Sequence, residues 1–116
     1  PAPPSPALKT SCSNRPIDMK PDFSTHLTED RRLVVLRVLA ESSGYTANEY
    51  ILKQMLEQFG HVVSSDRVRT DLAWMHEQQL LTVSQVADVH IARITARGQD
   101  VAAGRTVVPG VKRPHA

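Results

Sequence analysis

The residues best suited to chemistry lie close together in the middle of the chain, and all are hydrogen-bond donors: Ser65, Arg67, Arg69 and Thr70. An arginine near the start of a helix can donate two hydrogen bonds to the edge of a guanine in the major groove. We therefore expect these four residues to contact double-stranded DNA. A solvated face without a ligand is the alternative, and Asp66 and Glu77 favour it because phosphate repels carboxylates.

Charge is distributed unevenly along the chain. Residues 26–78 hold six Lys or Arg against eight Asp or Glu, a net charge of −2, whereas residues 79–116 hold five against two, a net charge of +3. Phosphate contacts supply most non-specific DNA affinity. We therefore expect the second part of the chain to contribute Arg93 and Arg97 to the same DNA-binding surface.

The residue types used in catalysis and metal binding do not form a recognisable set. The five histidines lack ligand spacing, and the single cysteine, Cys12, can form neither a thiolate site nor a disulfide framework. No glycine-rich phosphate loop or nucleophile elbow is present, and Asp71 and His76 are expected to be surface groups. We expect no enzyme, no metal and no cofactor.

Composition indicates one ordinary globular domain. The chain has 116 residues, of which 41% are hydrophobic and 22% charged, as in soluble domains with a modest core. No apolar run approaches the roughly 20 residues of a membrane span, and the N-terminus lacks a signal-peptide pattern. We expect a cytoplasmic protein without membrane contact.

The four candidate DNA-binding residues belong to the third of three predicted helices. Ser64 is a suitable N-cap for it, and Val68, Leu72 and Met75 recur at helical spacing as one apolar stripe. An extended run, Leu80 to Val86, follows directly. A capped helix leading into a strand is typical of the recognition helix of a winged helix-turn-helix.

The first helix is predicted from about Thr28, as N-cap, to about Ser42, with Leu33, Leu36 and Leu39 facing the core. Val34 and Val38 fall almost opposite that face. Either the N-terminal arm or the C-terminal tail covers them, or they form a homodimer interface, which we favour.

The second helix is predicted to begin at a capping box formed by Thr46 and Glu49 and to end at Gly60. Its predicted buried stripe contains Leu52, Met55, Leu56 and Phe59. Trp74, the single tryptophan, points away from the stripe of the third helix. We expect it to pack under the hairpin or against the arm, with a role as a partner's anchor as the alternative.

The chain is therefore predicted to be mainly α-helical with a small β-hairpin: a winged helix-turn-helix of three helices, a two-stranded wing and a short C-terminal helix. The wing strands are residues 80–86 and 89–94, joined by a turn at Ala87-Asp88, and Thr95 caps the last helix. Residues 1–25 are expected to be a disordered arm or an addition to the natural chain. The winged-helix domain would cover 26–104, and 105–116 would be an irregular basic tail.

Several segments resemble known winged-helix proteins. Ile-Thr-Ala-Arg-Gly at 94–98 resembles the element after the wing in MarR- and ArsR-like regulators. A closer similarity, over nearly all of residues 20–114, is to small winged-helix proteins of Mu-like prophages. It is carried by Glu-Asp-Arg-Arg-Leu-Val at 29–34, Gly-Tyr-x-Ala-Asn at 44–48, Val-Arg-Thr-x-Leu-Ala-Trp at 68–74 and Val-Pro-Gly-Val-Lys-Arg-Pro at 108–114. Gln79 departs from that pattern, because many relatives have a glycine there, so the start of the wing is expected to be shaped differently.

This resemblance implies a phage or prophage origin and a DNA-binding type of fold, and it does not imply a particular activity. Two functions follow as hypotheses. The first is a homodimeric DNA-binding protein, a transcriptional regulator that inserts its third helix into the major groove. The second is a protein-interaction module in phage assembly or DNA packaging that keeps the fold without reading sequence.

Overall fold

The computed structural model describes residues 20–114, which form four α-helices and a three-stranded antiparallel sheet. In chain order the elements are α1 (Lys20–Glu41), a 3-10 turn (Ser43–Tyr45), β1 (Thr46–Asn48), α2 (Glu49–Gln58), α3 (Ser65–Glu77), β2 (Leu81–Val86), β3 (Val89–Ile94) and α4 (Ala96–Ala102). The expected helices and hairpin are present. The expectation of only two strands is wrong.

The third strand, β1, lies at one edge of the sheet, whose strand order is β1-β3-β2. Thr46 pairs with Arg93, and Asn48 with Ile91. This pairing draws Thr46 into the sheet, where its hydroxyl donates to the carbonyl oxygen of Gly44. The expected capping box is therefore wrong: Asn48 caps α2, and its side chain accepts from the amide of Ile51 at 2.9 Å.

Helix α1 extends further towards the N-terminus than expected. It already includes Lys20, and Thr28, the expected N-cap, lies inside it. Proline is tolerated in the first turn of a helix because its missing amide has no partner there, so Pro21 does not prevent the earlier start. Residues 20–25 of the expected arm are thus helical, and the prediction for 1–19 falls outside the described residues.

Helix α3 begins and ends as a typical capped helix. Ser64 is its N-cap, as predicted, and its side chain accepts from the amide of Arg67 at 3.1 Å. After the helix, Gln79 adopts a φ of 65°, the left-handed conformation that glycine usually supplies. Gln79 therefore reproduces the backbone shape that a glycine would give, and β2 begins two residues later.

The β2–β3 hairpin closes in a two-residue turn. Ala87 and Asp88 both have positive φ, 52° and 67°, as a type I′ turn requires. Leu81 pairs with Ile94 at the open end, and Val86 pairs with Val89 beside the turn. The predicted hairpin and its turn are confirmed, although neither turn residue is glycine.

The core lies between the helices and one face of the sheet. The predicted stripe of α3 is fully buried, and α1 and α2 add five leucines. Two residues expected in the core of α2 are not buried: Phe59 is 60% exposed, and Met55 is only partly buried. Residues 105–114 contain no helix or strand, as predicted, yet Val108 and Val111 are buried in the core.

Candidate nucleic-acid interface

The first two turns of α3 bring together the four residues that the sequence singled out there. Arg67 and Thr70 are exposed, and Ser65 is partly exposed. The Thr70 hydroxyl donates to the backbone oxygen of Asp66 at 2.9 Å. Ser64 binds the amide of Arg67 and so fixes the first turn, from which the Arg67 side chain extends into solvent. These side chains can reach a ligand without a change in the fold.

Arg69 is held differently, because its guanidinium binds Glu49 at the start of α2. Its Nε donates to Oε1 of Glu49 at 2.7 Å, and Nη2 to Oε2 at 3.3 Å. The Arg69 side chain remains 40% exposed, whereas that of Glu49 is 2% exposed. The hydrogen bond to Glu49 raises the pKa of Arg69. One edge of this guanidinium is therefore occupied within the protein, and only part of it faces solvent.

Glu49 joins three elements. Besides Arg69 on α3, its Oε2 accepts from the backbone amide of His90 on β3 at 2.8 Å and lies 3.1 Å from Nδ1 of the same residue. The bond from Arg69 lowers the pKa of Glu49 to about 2; burial opposes this shift, and the bonds from His90 add to it. A carboxylate that stays charged at neutral pH thus links α3 to the hairpin. Local sequence offered no sign of this role beyond a carboxylate in the first turn of a helix.

The two remaining predicted DNA-binding residues lie elsewhere. Arg93 is exposed on β3 between buried Ala92 and Ile94, and because strand side chains alternate, it projects from the sheet face opposite the core. Arg97 is in the first turn of α4, where its Nε donates to the backbone oxygen of Gln78 at 3.1 Å. Gln78 is eleven residues beyond Arg67, about 16 Å along a helix. The six predicted residues therefore do not form one patch.

Comparison with known proteins gives two relatives. A protein of Escherichia phage Mu called "Uncharacterized protein gp26" is 52% identical over 88 residues, which cover 76% of this chain and 91% of the phage protein. This chain belongs to the family of phage Mu gp26. An "Uncharacterized protein" of Haemophilus influenzae (strain ATCC 51907 / DSM 11121 / KW20 / Rd) is 50% identical over 76 residues, 65% of this chain and 74% of the relative.

The relationship to the phage Mu protein supports the phage origin that the sequence motifs implied. No protein-family model and no solved structure matches the chain, so the comparisons give no information on its fold or activity. The resemblance to MarR- and ArsR-like regulators therefore has no support from these comparisons. The assignment of a winged-helix fold to the gp26 family has no support from them either.

A second charged cluster in this gp26 relative lies between α1 and α3. Asp71 is 2% exposed and accepts from Nε and Nη2 of Arg31, which is also buried. Nε of Arg32 lies 3.7 Å from the same carboxylate, and burial lowers the pKa of Arg32 against the opposing effect of Asp71. The expectation that Asp71 is a surface group is wrong, because Arg31, forty positions away, compensates its buried charge.

Among the described residues, Trp74 packs against the tail and α1; most of the N-terminal arm, one of its two expected partners, falls outside those residues. The guanidinium of Arg32 stacks over its ring at 3.9 Å from the centroid. A β-carbon at Gly110 would lie 2.6 Å from the ring, so only a glycine fits there. The tail is held further by Lys112, whose amide donates to the Glu29 carbonyl oxygen and whose Nζ lies 3.4 Å from Asp30.

Val34 and Val38 are partly buried and line a groove between α1 and α2. The tail, one of the two coverings considered from sequence, packs instead beside Trp74. The dimer role of the two valines remains a prediction. Within residues 20–114 there is no cluster of three potential metal ligands and no helix long and apolar enough to cross a membrane.

Proposed function

We propose that this gp26-family chain is a DNA-binding protein of a Mu-like phage or prophage with a winged helix-turn-helix fold, acting in the host cytoplasm as a transcriptional regulator. One observation carries the proposal. The start of α3 is capped and exposed, and the Arg67 guanidinium there forms no hydrogen bond or ion pair with another described side chain. Donors at the N-terminal end of a helix are what major-groove readout uses.

The arrangement of elements supports this fold. A short link joins α2 to α3, as in a helix-turn-helix pair, and the β2–β3 hairpin follows α3 directly. The hairpin would act as the wing, and β1 would complete the sheet at its base. Glu49 would keep α3 and the wing in fixed relative positions, since it binds Arg69 and His90 together.

The geometry assigns different tasks to the predicted residues. Arg67 would contact a base edge, with Ser65 and Thr70 donating to bases or phosphates nearby. Arg69 would act mainly as a positioning residue, because Glu49 occupies one edge of its guanidinium. Arg93 and Arg97 lie apart from this helix end, so phosphate contacts outside the central groove are the role left to them.

The test is selection of bound sequences from a random DNA pool at fixed salt, followed by mobility shifts on the selected duplex. The double substitution Arg67→Ala with Thr70→Ala should weaken specific binding, since a lost base contact costs about 1–3 kcal/mol. Arg105→Ala is the matched control, because Arg105 lies after α4 and pairs with Asp100 in that helix. Arg69→Ala is unsuitable, since it would remove the guanidinium bound to buried Glu49 and so disturb the fold. Unchanged affinity in the double variant would contradict readout by α3.

A second candidate function is a protein-interaction module in phage assembly or DNA packaging. The hairpin tip favours it, because residues 84–90 contain no lysine or arginine, Asp88 occupies the turn, and Val86 is 59% exposed. A wing that approaches phosphate usually carries positive charge. Failure of the random pool to enrich any sequence, even at low salt, would support this second function over the first.

A further inference from the structure

The groove between α1 and α2 contains none of the residues proposed to contact DNA. It encloses about 540 Å³, and its apolar lining includes Val34 and Val38 from α1, Met55 from α2 and Phe59, the residue that follows α2. Arg37 and Glu41 stand at its margin. The groove is therefore an apolar surface with charged groups beside it, a composition found at protein interfaces.

The apolar surface continues outside the groove along α2. Ile51, Met55 and Phe59 recur every four residues, so they share one side of the helix. Ile51 is 47% exposed and Phe59 is 60% exposed. The same surface thus offers a projecting aromatic ring and, directly beside it, a hollow lined by aliphatic side chains.

The charges at the margin are self-complementary. Arg37 and Glu41 lie one turn apart on α1, both are exposed, and neither forms an ion pair with another residue in 20–114. In a two-fold symmetric interface the same patch meets itself, so each cation must find an anion within that patch. The lining also includes Asp30, but that carboxylate is already paired with His61 and Lys112, which leaves one cation and one anion, Arg37 and Glu41.

We propose that a second copy of this chain docks on this groove about a two-fold axis. The Phe59 ring of each protomer enters the groove of the other beside Val34 and Val38, and Arg37 of each pairs with the partner's Glu41. A two-fold contact needs a self-complementary surface, and this groove combines a projection, a hollow and both signs of charge on one surface. An unrelated partner would require only some of these features.

The first test measures the oligomeric state of the full chain by sedimentation equilibrium across a concentration series. The native chain should dimerise, and Phe59→Ser should weaken the dimer by at least about tenfold, because aromatic anchors dominate interface energetics. Val107→Glu is the matched control. Val107 is also 60% exposed but lies in the tail, so this variant should dimerise with the same dissociation constant as the native chain. A native chain that stays monomeric throughout overturns the proposal.

A charge exchange tests the pairing without altering the apolar surface. Arg37→Glu alone and Glu41→Arg alone should each dimerise more weakly, since each creates two like-charge contacts across the axis. An equimolar mixture of the two variants should regain dimers, because every contact in the mixed dimer joins opposite charges. If mixing restores nothing, the proposed geometry is wrong. The result does not depend on DNA binding, so this inference and the proposed function can fail separately.

Discussion

Nε of Arg69 and Oε1 of Glu49 are 2.7 Å apart, and this contact joins the first residue of α2 to the second turn of α3. The carboxylate is buried, while the guanidinium reaches the surface. Because Glu49 also binds the amide of His90 on β3, one side chain sets the position of α3 relative to the hairpin. The proposed DNA-contacting end of α3 therefore depends on a residue that would itself contact no DNA.

Replacement of Glu49 by glutamine should destabilise the fold. Glutamine keeps one acceptor but loses the charge that binds Arg69 and His90, and hydrogen bonds to a charged group contribute about 2 kcal/mol. Urea denaturation of the full chain measures the loss. Glu57→Gln is the control, because Glu57 is exposed on the same helix and should change stability by less than about 0.5 kcal/mol. Equal effects of the two substitutions would contradict the anchoring role.

The contribution of Glu49 should disappear in acid. Its pKa is lowered from the usual 4.5 to about 2 in the folded chain, so its charge stabilises the fold fully above the unfolded-state pKa and less as the pH falls towards 2. The free energy of unfolding of the native chain minus that of Glu49→Gln should stay constant from pH 7 to about pH 5.5 and then shrink. Subtraction removes groups that do not contact Glu49, such as Asp30, and a difference that does not shrink below about pH 5.5 would refute the assignment.

Substitution of Asp71 should destabilise the fold more than substitution of any exposed carboxylate of α3. Asp71→Asn would leave the buried Arg31 guanidinium without its counter-charge, and breaking one side of a buried ion pair costs about 3 kcal/mol or more. The matched control is Asp66→Asn, since Asp66 is exposed on the same helix. Thermal unfolding of both variants should separate them clearly. A loss at Asp71 no larger than that at Asp66 would show that the pair contributes little.

Local signals were sufficient to predict most elements. Ser64 and Thr95 cap the helices that follow them, and the stripe of Val68, Leu72 and Met75 is buried as its spacing indicated. The turn at Ala87-Asp88 was also placed correctly. Each of these features depends on residues within a few positions of one another, which is the range over which capping and periodicity act.

Features set by distant contacts could not be predicted in this way. Strand β1 is three residues long, and its identity comes from pairing with β3 more than forty positions away. The burial of Asp71 depends on Arg31, and that of Val108 and Val111 on packing of an irregular tail. Arg69 looked like a DNA contact because nothing in the local pattern showed that Glu49, twenty positions earlier, binds it.

Replacement of Gln79 by glycine should stabilise the fold. Its φ of 65° is left-handed, a conformation that costs residues with a β-carbon about 1 kcal/mol, and its amide and that of Leu80 bind the last turn of α3 at His76 and Met75. Gln79→Gly keeps those bonds and should raise the free energy of unfolding by about 0.5–1 kcal/mol.

Gln78→Gly is the control: Gln78 has helical φ and ψ, −83° and 0°, so glycine there should lower stability by a similar amount. Urea denaturation should therefore give changes of opposite sign at adjacent positions, whereas changes of the same sign would mean that the left-handed turn before β2 is not strained.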